Sequence, residues 1–426
     1  MPRFRRRSSS RSSLLPAELR GPLLAGLVVF VASWLFVSFM PGFSTWLYGD
    51  VRFYDGWGNL LANHLVPYRD FRIEYPPGAL PTFWAPPYLR KLAGYHGTYY
   101  FWFRFEILVF GIAVTALMAI ALARLGASRR RAYAALCAAG IAPALLGPIA
   151  LSRYDYWPTL LAVAAVAALV SDRLLLACAL IGAGAVAKVF PLVLLPLALI
   201  ELWRRGGLRA AGRGVVAAAG VIAACVVPFV VIAPHGMWWA LQRQFSRPLQ
   251  VESLGAVFFA AAHEIANVHL HVVKSAGSDN LIGSGPDLAA TLSGLATVVA
   301  LLAVYWLYAR GARTHEQLVV ACAAAVTAYI AFSKVFSPQY LVWLFPLVPL
   351  VGGRRGLRAG ALMLVIVGMT QIWEPYRYFH YYKTFTPWIT WLVVARDLLV
   401  VGLLAILVRR SGSDADELDR GRAALV

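Results

Sequence analysis

The chain has 426 residues, of which 60% are hydrophobic and only 14% charged, and its formal net charge is +19. A soluble domain would carry about 25% charged residues and would not collect its apolar positions in long blocks, so a soluble globular fold is excluded. So is a β-barrel, whose strands would alternate apolar and polar residues over about ten positions. The positive charge lies in short arginine-bearing segments between apolar blocks, which is the mark of membrane topology and not of nucleic-acid binding.

Residues 1–21 are basic and polar, and the first apolar run covers about 21–40. It is longer than the apolar core of a usual signal peptide, and Pro41-Gly42-Phe43 makes a poor cleavage site. An uncleaved first span is therefore expected, with its basic flank in the cytoplasm. The chain then enters an outer loop of about 42–98, where short interfacial helices are expected. This loop gathers Asp50, Asp55, Asp70 and Glu74 among aromatic residues and turns at Pro76-Pro77-Gly78.

A second span over about 99–123 ends in an arginine-rich turn, and a third over about 132–151 emerges at Ser152-Arg153-Tyr154-Asp155. The fourth returns to Asp172-Arg173. The fifth and sixth, about 174–187 and 189–203, are each shorter than the ~20 residues of a perpendicular crossing. They meet at Lys188 and read either as two spans or as one re-entrant unit. A seventh, about 215–232, leads to an outer segment of about 234–286, within which the polar run 274–287 reads as a flexible loop.

The remaining five apolar runs end near Arg310, Lys334, Arg355, Arg377 and Arg409. Counting alternately gives an all-α polytopic protein of about twelve spans with both termini in the cytoplasm. Its transmembrane unit is 22–410 and its polar tail 411–426. Cys137, Cys178, Cys225 and Cys322 fall singly in apolar blocks and read as packing residues. His263-Glu264 opens a zinc-protease-like pattern, but Asn267 stands where its second histidine belongs, so no metal site is expected.

Nearly every motif-like segment falls on the outer side, whereas the inner turns are short and otherwise featureless. That points to a reaction or binding event at the outer interface. The motifs YPPGALPTFW (75–84), SRYDYWPTLL (152–161), AKVFPLVLLPL (187–197), RPLQVES (247–253) and FSPQYLVWLFPL (336–347) resemble those of glycosyltransferase family 87, which is of the GT-C membrane type. The resemblance is strongest to actinobacterial enzymes that use polyprenyl-phosphate sugars.

The resemblance implies a glycosyltransferase at the extracytoplasmic face of a bacterial plasma membrane, and one carboxylate base with a phosphate leaving group makes a single inverting displacement the simplest scheme. The family likeness implies transfer of mannose, or else arabinofuranose, from a polyprenyl-phosphate donor to a lipid-linked or cell-wall glycan acceptor; a single-carboxylate scheme needs no cofactor, with a divalent ion as the open alternative. It also implies an aspartate of the first outer loop as general base, a role that fits Asp50 best and Asp55 as the alternative. Asn63-His64-Leu65 stands where relatives have a glycine.

Transfer from a lipid phosphate needs a base for the acceptor proton and cations for the departing phosphate. Arg153, Lys188, Arg247, Lys334, Arg377 and Lys383 are the outer cations. Lys188 and Lys334 stand out, because a charge at the end of an apolar span is costly unless paired or functional. Arg153 reads equally as a local partner of Asp155, and Asp70 as an ion-pairing loop residue between Arg69 and Arg72. Glu74, Tyr75, Tyr54, Asp155, Gln339, Tyr340 and Glu252 are candidates for sugar or acceptor contacts. Arg396 and Asp397, adjacent in the last span, are each expected to need a separate partner in a buried network. The competing reading from another class is a transporter or flippase of polyprenyl-linked sugars.

Overall fold

The computed structural model of the protein describes residues 15–40 and 49–409. The first span is α1 (Ala17–Phe39). The loop behind it contains two short helices, α2 (Val51–Ala62) and α3 (Leu80–Leu92), with a 3-10 turn at Pro77–Ala79 between them. Helix α4 (Tyr99–Arg124) starts where the Thr98 side chain accepts a hydrogen bond from the Phe101 amide, a capping role for which threonine is suited.

The third predicted span is broken into α5 (Arg129–Gly140), α6 (Ala142–Leu146) and α7 (Pro148–Leu151). Pro143 and Pro148 lack the amide a continuous helix needs, and Gly147 takes φ +56° between the last two pieces. Helices α8 (Tyr156–Leu169) and α9 (Leu174–Ala187) have 14 residues each. At about 1.5 Å per residue they span roughly 21 Å, less than the ~30 Å of a bilayer core. A 3-10 turn (Phe190–Leu194) then leads into α10 (Leu195–Ile232), which joins the sixth and seventh predicted spans end to end. The joint is a kink at Gly206 and Gly207. Gly207 sits at φ +64° and ψ −159°, a conformation open in practice to glycine alone.

The segment expected as the second outer loop is ordered. It holds α11 (Pro234–Phe245), β1 (Leu249–Gln250), α12 (Leu254–Ala266), β2 (His271–Ser275) and β3 (Ser278–Ile282). The run read as a flexible loop is thus mostly a β-hairpin. Ala276 and Gly277 both take positive φ (+49° and +72°), the two-residue turn whose twist matches antiparallel strands. Strand β3 lies between β1 and β2 in an antiparallel sheet.

Helices α13 (Ser284–Arg310) and α14 (His315–Phe332) follow. Residues 338–350 fold as short buried pieces around α15 (Leu341–Leu344). The chain closes with α16 (Gly353–Trp373), α17 (Tyr378–Thr384) and α18 (Pro387–Val408). Among the described residues seven helices are long and apolar enough to cross a membrane, and α8, α9, α12 and the 338–350 segment are shorter apolar pieces. The protein is an all-α polytopic membrane protein.

Helices α8, α9 and α14 form the centre. Helix α8 packs on α4 and α9, while α14 packs on α13 and α18. The far half of α10 and most of α13 instead expose apolar side chains such as Val216, Val231, Leu295 and Leu302, as lipid-facing helices do. At one end of the bundle Arg131 clasps the Glu316 carboxylate and the Leu350 carbonyl. Arg205 there pairs with Asp172 at 2.6 Å. The motif-bearing segments gather at the other end.

Within α18, Arg396 and Asp397 do not find separate carboxylate and cation partners. The Arg396 Nε lies 2.7 Å from Asp397 Oδ1, and both side chains are buried. Arg396 also donates to the Glu252 carbonyl at 2.9 Å and lies over the Phe336 ring at 4.2 Å. Adjacent helix positions point in different directions, but the long, flexible guanidinium of Arg396 turns along the helix to reach Asp397. An unpaired buried charge costs more than an imperfect ion-pair geometry.

Candidate active site

The site is built around the four-residue turn 152–155 between α7 and α8, whose neighbouring side chains reach in two directions. Arg153 extends to loop 1, where its Nε lies 3.2 Å from Asp50 Oδ2. Asp155 is 1% exposed and reaches inward, accepting hydrogen bonds from Lys188 Nζ at 2.6 Å and Trp343 Nε1 at 2.7 Å. Arg153 and Asp155 therefore do not form the local pair that their spacing allowed, because each has a stronger partner elsewhere.

Pro76-Pro77-Gly78 holds loop 1 against this turn. The Gly78 carbonyl accepts from Trp157 Nε1 at 2.9 Å. A Cβ on Gly78 would lie 2.6 Å from the Val186 carbonyl oxygen and 2.7 Å from the Ala187 nitrogen. Only glycine lets the corner seat on the end of α9, one residue before Lys188.

Asp50 occupies the N-cap position of α2 but makes no capping hydrogen bond, which leaves its carboxylate directed at Arg153. The next turn of α2 carries Tyr54, which stacks on Phe83 with ring centroids 4.6 Å apart and meets Tyr75 edge-on at 5.8 Å. Burial pushes both phenols upward in pKa, and the Asp50 charge adds to the effect. They remain neutral hydrogen-bonding groups, leaving Asp50 as the carboxylate of this corner.

Asp55 lies on a different face of α2. Its Oδ1 accepts from Asn59 Nδ2 at 2.7 Å, and burial raises its pKa while Asn59 and Arg90 oppose the shift. Asp70 pairs with Arg69 at 2.8 Å and accepts from the Val66 amide at 2.7 Å, so it shapes the loop. Glu74 accepts from Gln244 through its carbonyl at 2.8 Å, and its carboxylate is 3.7 Å from Arg243 Nε. Helix α11 is thereby tied to loop 1.

Lys188 ends α9 in an aromatic cage. Its Nζ lies 5.1 Å from the ring centres of Tyr154 and Tyr340 and 5.2 Å from that of Trp343, distances that favour cation–π attraction. Trp343 is fixed in turn by stacking on Phe190 at 3.9 Å. Arg247 donates to the Ala276 carbonyl at the hairpin turn at 2.6 Å, and its charge is felt at Lys188, Tyr154 and Tyr340. Lys334 donates to the Phe245 carbonyl at 2.8 Å. The structure thus gathers Arg153, Lys188, Arg247 and Lys334 around one end of the bundle.

Other sequence candidates have partners of their own. Arg377 donates to the Ile372 carbonyl at 2.6 Å and lies over Trp388, and Lys383 lies over Phe379. Gln339 accepts from Ser337. Glu252 is buried, bonded by Gln250 and surrounded by α16 and α18 residues of a second core, not by the Lys188 cage.

Trp343, Phe190, Trp157 and Gly78 all lie within motifs visible in the sequence, but nothing local marked them as site-forming. Glu374 was not singled out either. Burial pushes its carboxyl up to about 7, with Arg153 and Arg396 pulling the other way.

A carboxylate paired with Arg153, at the end of the bundle that also holds Lys188, Arg247 and Lys334, can accept a proton while anionic charge develops on a neighbouring group. The family model described as glycosyltransferase family 87 matches residues 73–338, more than half of the chain. It spans Glu74, the 152–155 turn, Lys188, Arg247 and Lys334, while Asp50 and Trp343 lie outside it. No curated protein matches the chain.

Proposed function

Since the chain belongs to glycosyltransferase family 87 and is a membrane glycosyltransferase, we propose that it moves a sugar, mannose, from a polyprenyl-phosphate donor to a lipid-linked or glycan hydroxyl. The observation that carries this reading is the pairing of Asp50 with Arg153 on the turn that also supplies Asp155 to Lys188. Base and phosphate cations are thereby held within one framework. The donor's isoprenoid tail stays in the bilayer, which gives the site its place at the membrane surface, on the extracytoplasmic side of a bacterial plasma membrane.

Asp50 is the general base in this scheme. The acceptor oxygen attacks the anomeric carbon as its proton passes to the Asp50 carboxylate. The bond from that carbon to the phosphate oxygen breaks, and its electron pair leaves with the lipid phosphate. One in-line displacement inverts the anomeric configuration and needs no second carboxylate, because phosphate leaves without an acid's help. Lys188, Arg247 and Lys334 stabilise the departing charge. Arg153 holds Asp50 in place. Tyr54, Tyr75, Glu74 and Tyr340 flank the sugar and acceptor.

The test is transfer by the purified full chain of labelled mannose from polyprenyl-phosphate mannose or from nucleotide-linked mannose. Transfer from the lipid donor alone, with inversion, is expected. Transfer from the nucleotide sugar would overturn the donor assignment. Movement of intact lipid donor across vesicles without transfer would establish the flippase reading.

A further inference from the structure

The stretch 245–250, which carries Arg247, is braced at both ends by Lys334. The Phe245 carbonyl accepts from Lys334 Nζ at 2.8 Å, and the Gln250 amide donates to the Lys334 carbonyl at 3.0 Å. Gln250 also faces Asn280 of β3 in the sheet. Arg247 and Lys334 therefore belong to one frame. Arg153 has Asp50 and Lys188 has Asp155. Among the described residues Arg247 and Lys334 have only carbonyl partners, and no ion pair with a carboxylate.

One carboxylate does stand beside Arg247. A Cβ on Gly277, in the turn of the β2–β3 hairpin, would lie 3.1 Å from Glu74 Oε1 and 3.9 Å from Arg247 Nη2, so this glycine borders both groups. They nevertheless do not pair. Glu74 faces Arg243 at 3.7 Å, and Arg247 donates to the Ala276 carbonyl of the turn at 2.6 Å. A guanidinium has five N–H donors, and this contact occupies only one of its nitrogens. The turn itself is locked from behind. Asn280 is fully buried, and its Nδ2 donates to the Ser275 carbonyl at 2.8 Å and to the Ser278 carbonyl at 3.1 Å.

On the reading of Arg247 as a phosphate cation, we propose that the Ala276-Gly277 turn is a positioning element for the donor. It holds Arg247 off Glu74 and leaves the guanidinium uncompensated, beside Lys334, for the lipid phosphate. The phosphate is a monoanionic diester in the donor and gains negative charge as it leaves as a monoester. Two cations without carboxylate partners thus favour the departing group over the bound donor, which is where binding energy accelerates a reaction. Ala276 and Gly277 act through Arg247 and touch no substrate.

The experiment is steady-state transfer by the full chain from polyprenyl-phosphate mannose, with donor and acceptor varied separately. Arg247→Gln is expected to raise the donor KM about tenfold or more, as loss of a hydrogen bond to a charged group does, with the acceptor KM unmoved. Gly277→Ala adds a methyl at φ +72° against Glu74 and Arg247 and should raise the donor KM by a smaller factor. In the double variant the glycine change should add nothing, because its effect passes through Arg247. A second measurement leaves the turn unaltered. Amide hydrogen exchange at residues 275–278 of the wild-type chain should slow with farnesyl phosphate but not with farnesol, and Arg247→Gln should abolish the slowing. An unchanged donor KM in Arg247→Gln would remove Arg247 from phosphate binding, and the positioning role with it. A raised donor KM in that variant but a wild-type value in Gly277→Ala would overturn the role of the turn alone. So would effects that multiply in the double variant, or exchange indifferent to farnesyl phosphate.

Discussion

Lys188 and Asp155, separated by 33 residues, meet at 2.6 Å inside a wall of aromatic rings. The pair joins the end of α9 to the start of α8, and Trp343 donates to the same carboxylate oxygen at 2.7 Å. Breaking a buried pair by removing one partner typically costs about 3–5 kcal/mol, because it strands a charge. Lys188→Met and Asp155→Asn should each lower the thermal midpoint markedly. The double variant should be less destabilised than the sum of the two, as a double-mutant cycle on unfolding would show.

Asp50→Asn should reduce transfer by about 10²–10⁴-fold with little change in KM, the usual contribution of a positioned base. Asp55→Asn should stay within a few-fold of wild type, because Asp55 is engaged with Asn59 on another face of α2. Steady-state transfer rates for both variants provide the check, and a fully active Asp50→Asn would remove Asp50 from the chemistry.

Gly78→Ala should displace the loop-1 corner. The added methyl meets the Val186 carbonyl oxygen at 2.6 Å, and backbone cannot yield as a flexible side chain can. Overpacking of this kind costs about 1–3 kcal/mol. Both the thermal midpoint and the transfer rate should fall, whereas Gly56→Ala in the interior of α2, where nothing lies within 4 Å, should leave the rate unchanged and raise the midpoint slightly, since alanine is the better helix former.

Glu374 provides a pH signature. Burial raises its carboxyl from an ordinary value of 4.5 to about 7, against the pull of Arg153 and Arg396. Between those values the folded protein binds more protons than the unfolded chain, so stability falls as pH rises through the window. The contribution is fully present below about 4.5 and lost as pH rises through about 7. Glu374→Gln should flatten the unfolding-against-pH curve in that interval. An unchanged slope would mean that Glu374 titrates normally.

Much of this protein was legible in the chain alone. Long apolar blocks punctuated by arginines dictate membrane helices, since a bilayer leaves a spanning backbone few other ways to satisfy its hydrogen bonds. The motifs around Tyr75, Asp155, Lys188 and Tyr340 also carried the family, since each keeps its residues close in sequence. Tertiary structure decided who meets whom. Arg153 and Asp155 are two residues apart, yet one faces Asp50 and the other Lys188. Ala276-Gly277 closes a hairpin where composition suggested a loose loop, because pairing with β1 on the far edge of β3 depends on residues distant in the chain. Arg396 bends back to Asp397 because the surrounding low-dielectric core makes an unpaired charge costly, and no local pattern records how dry a helix will be.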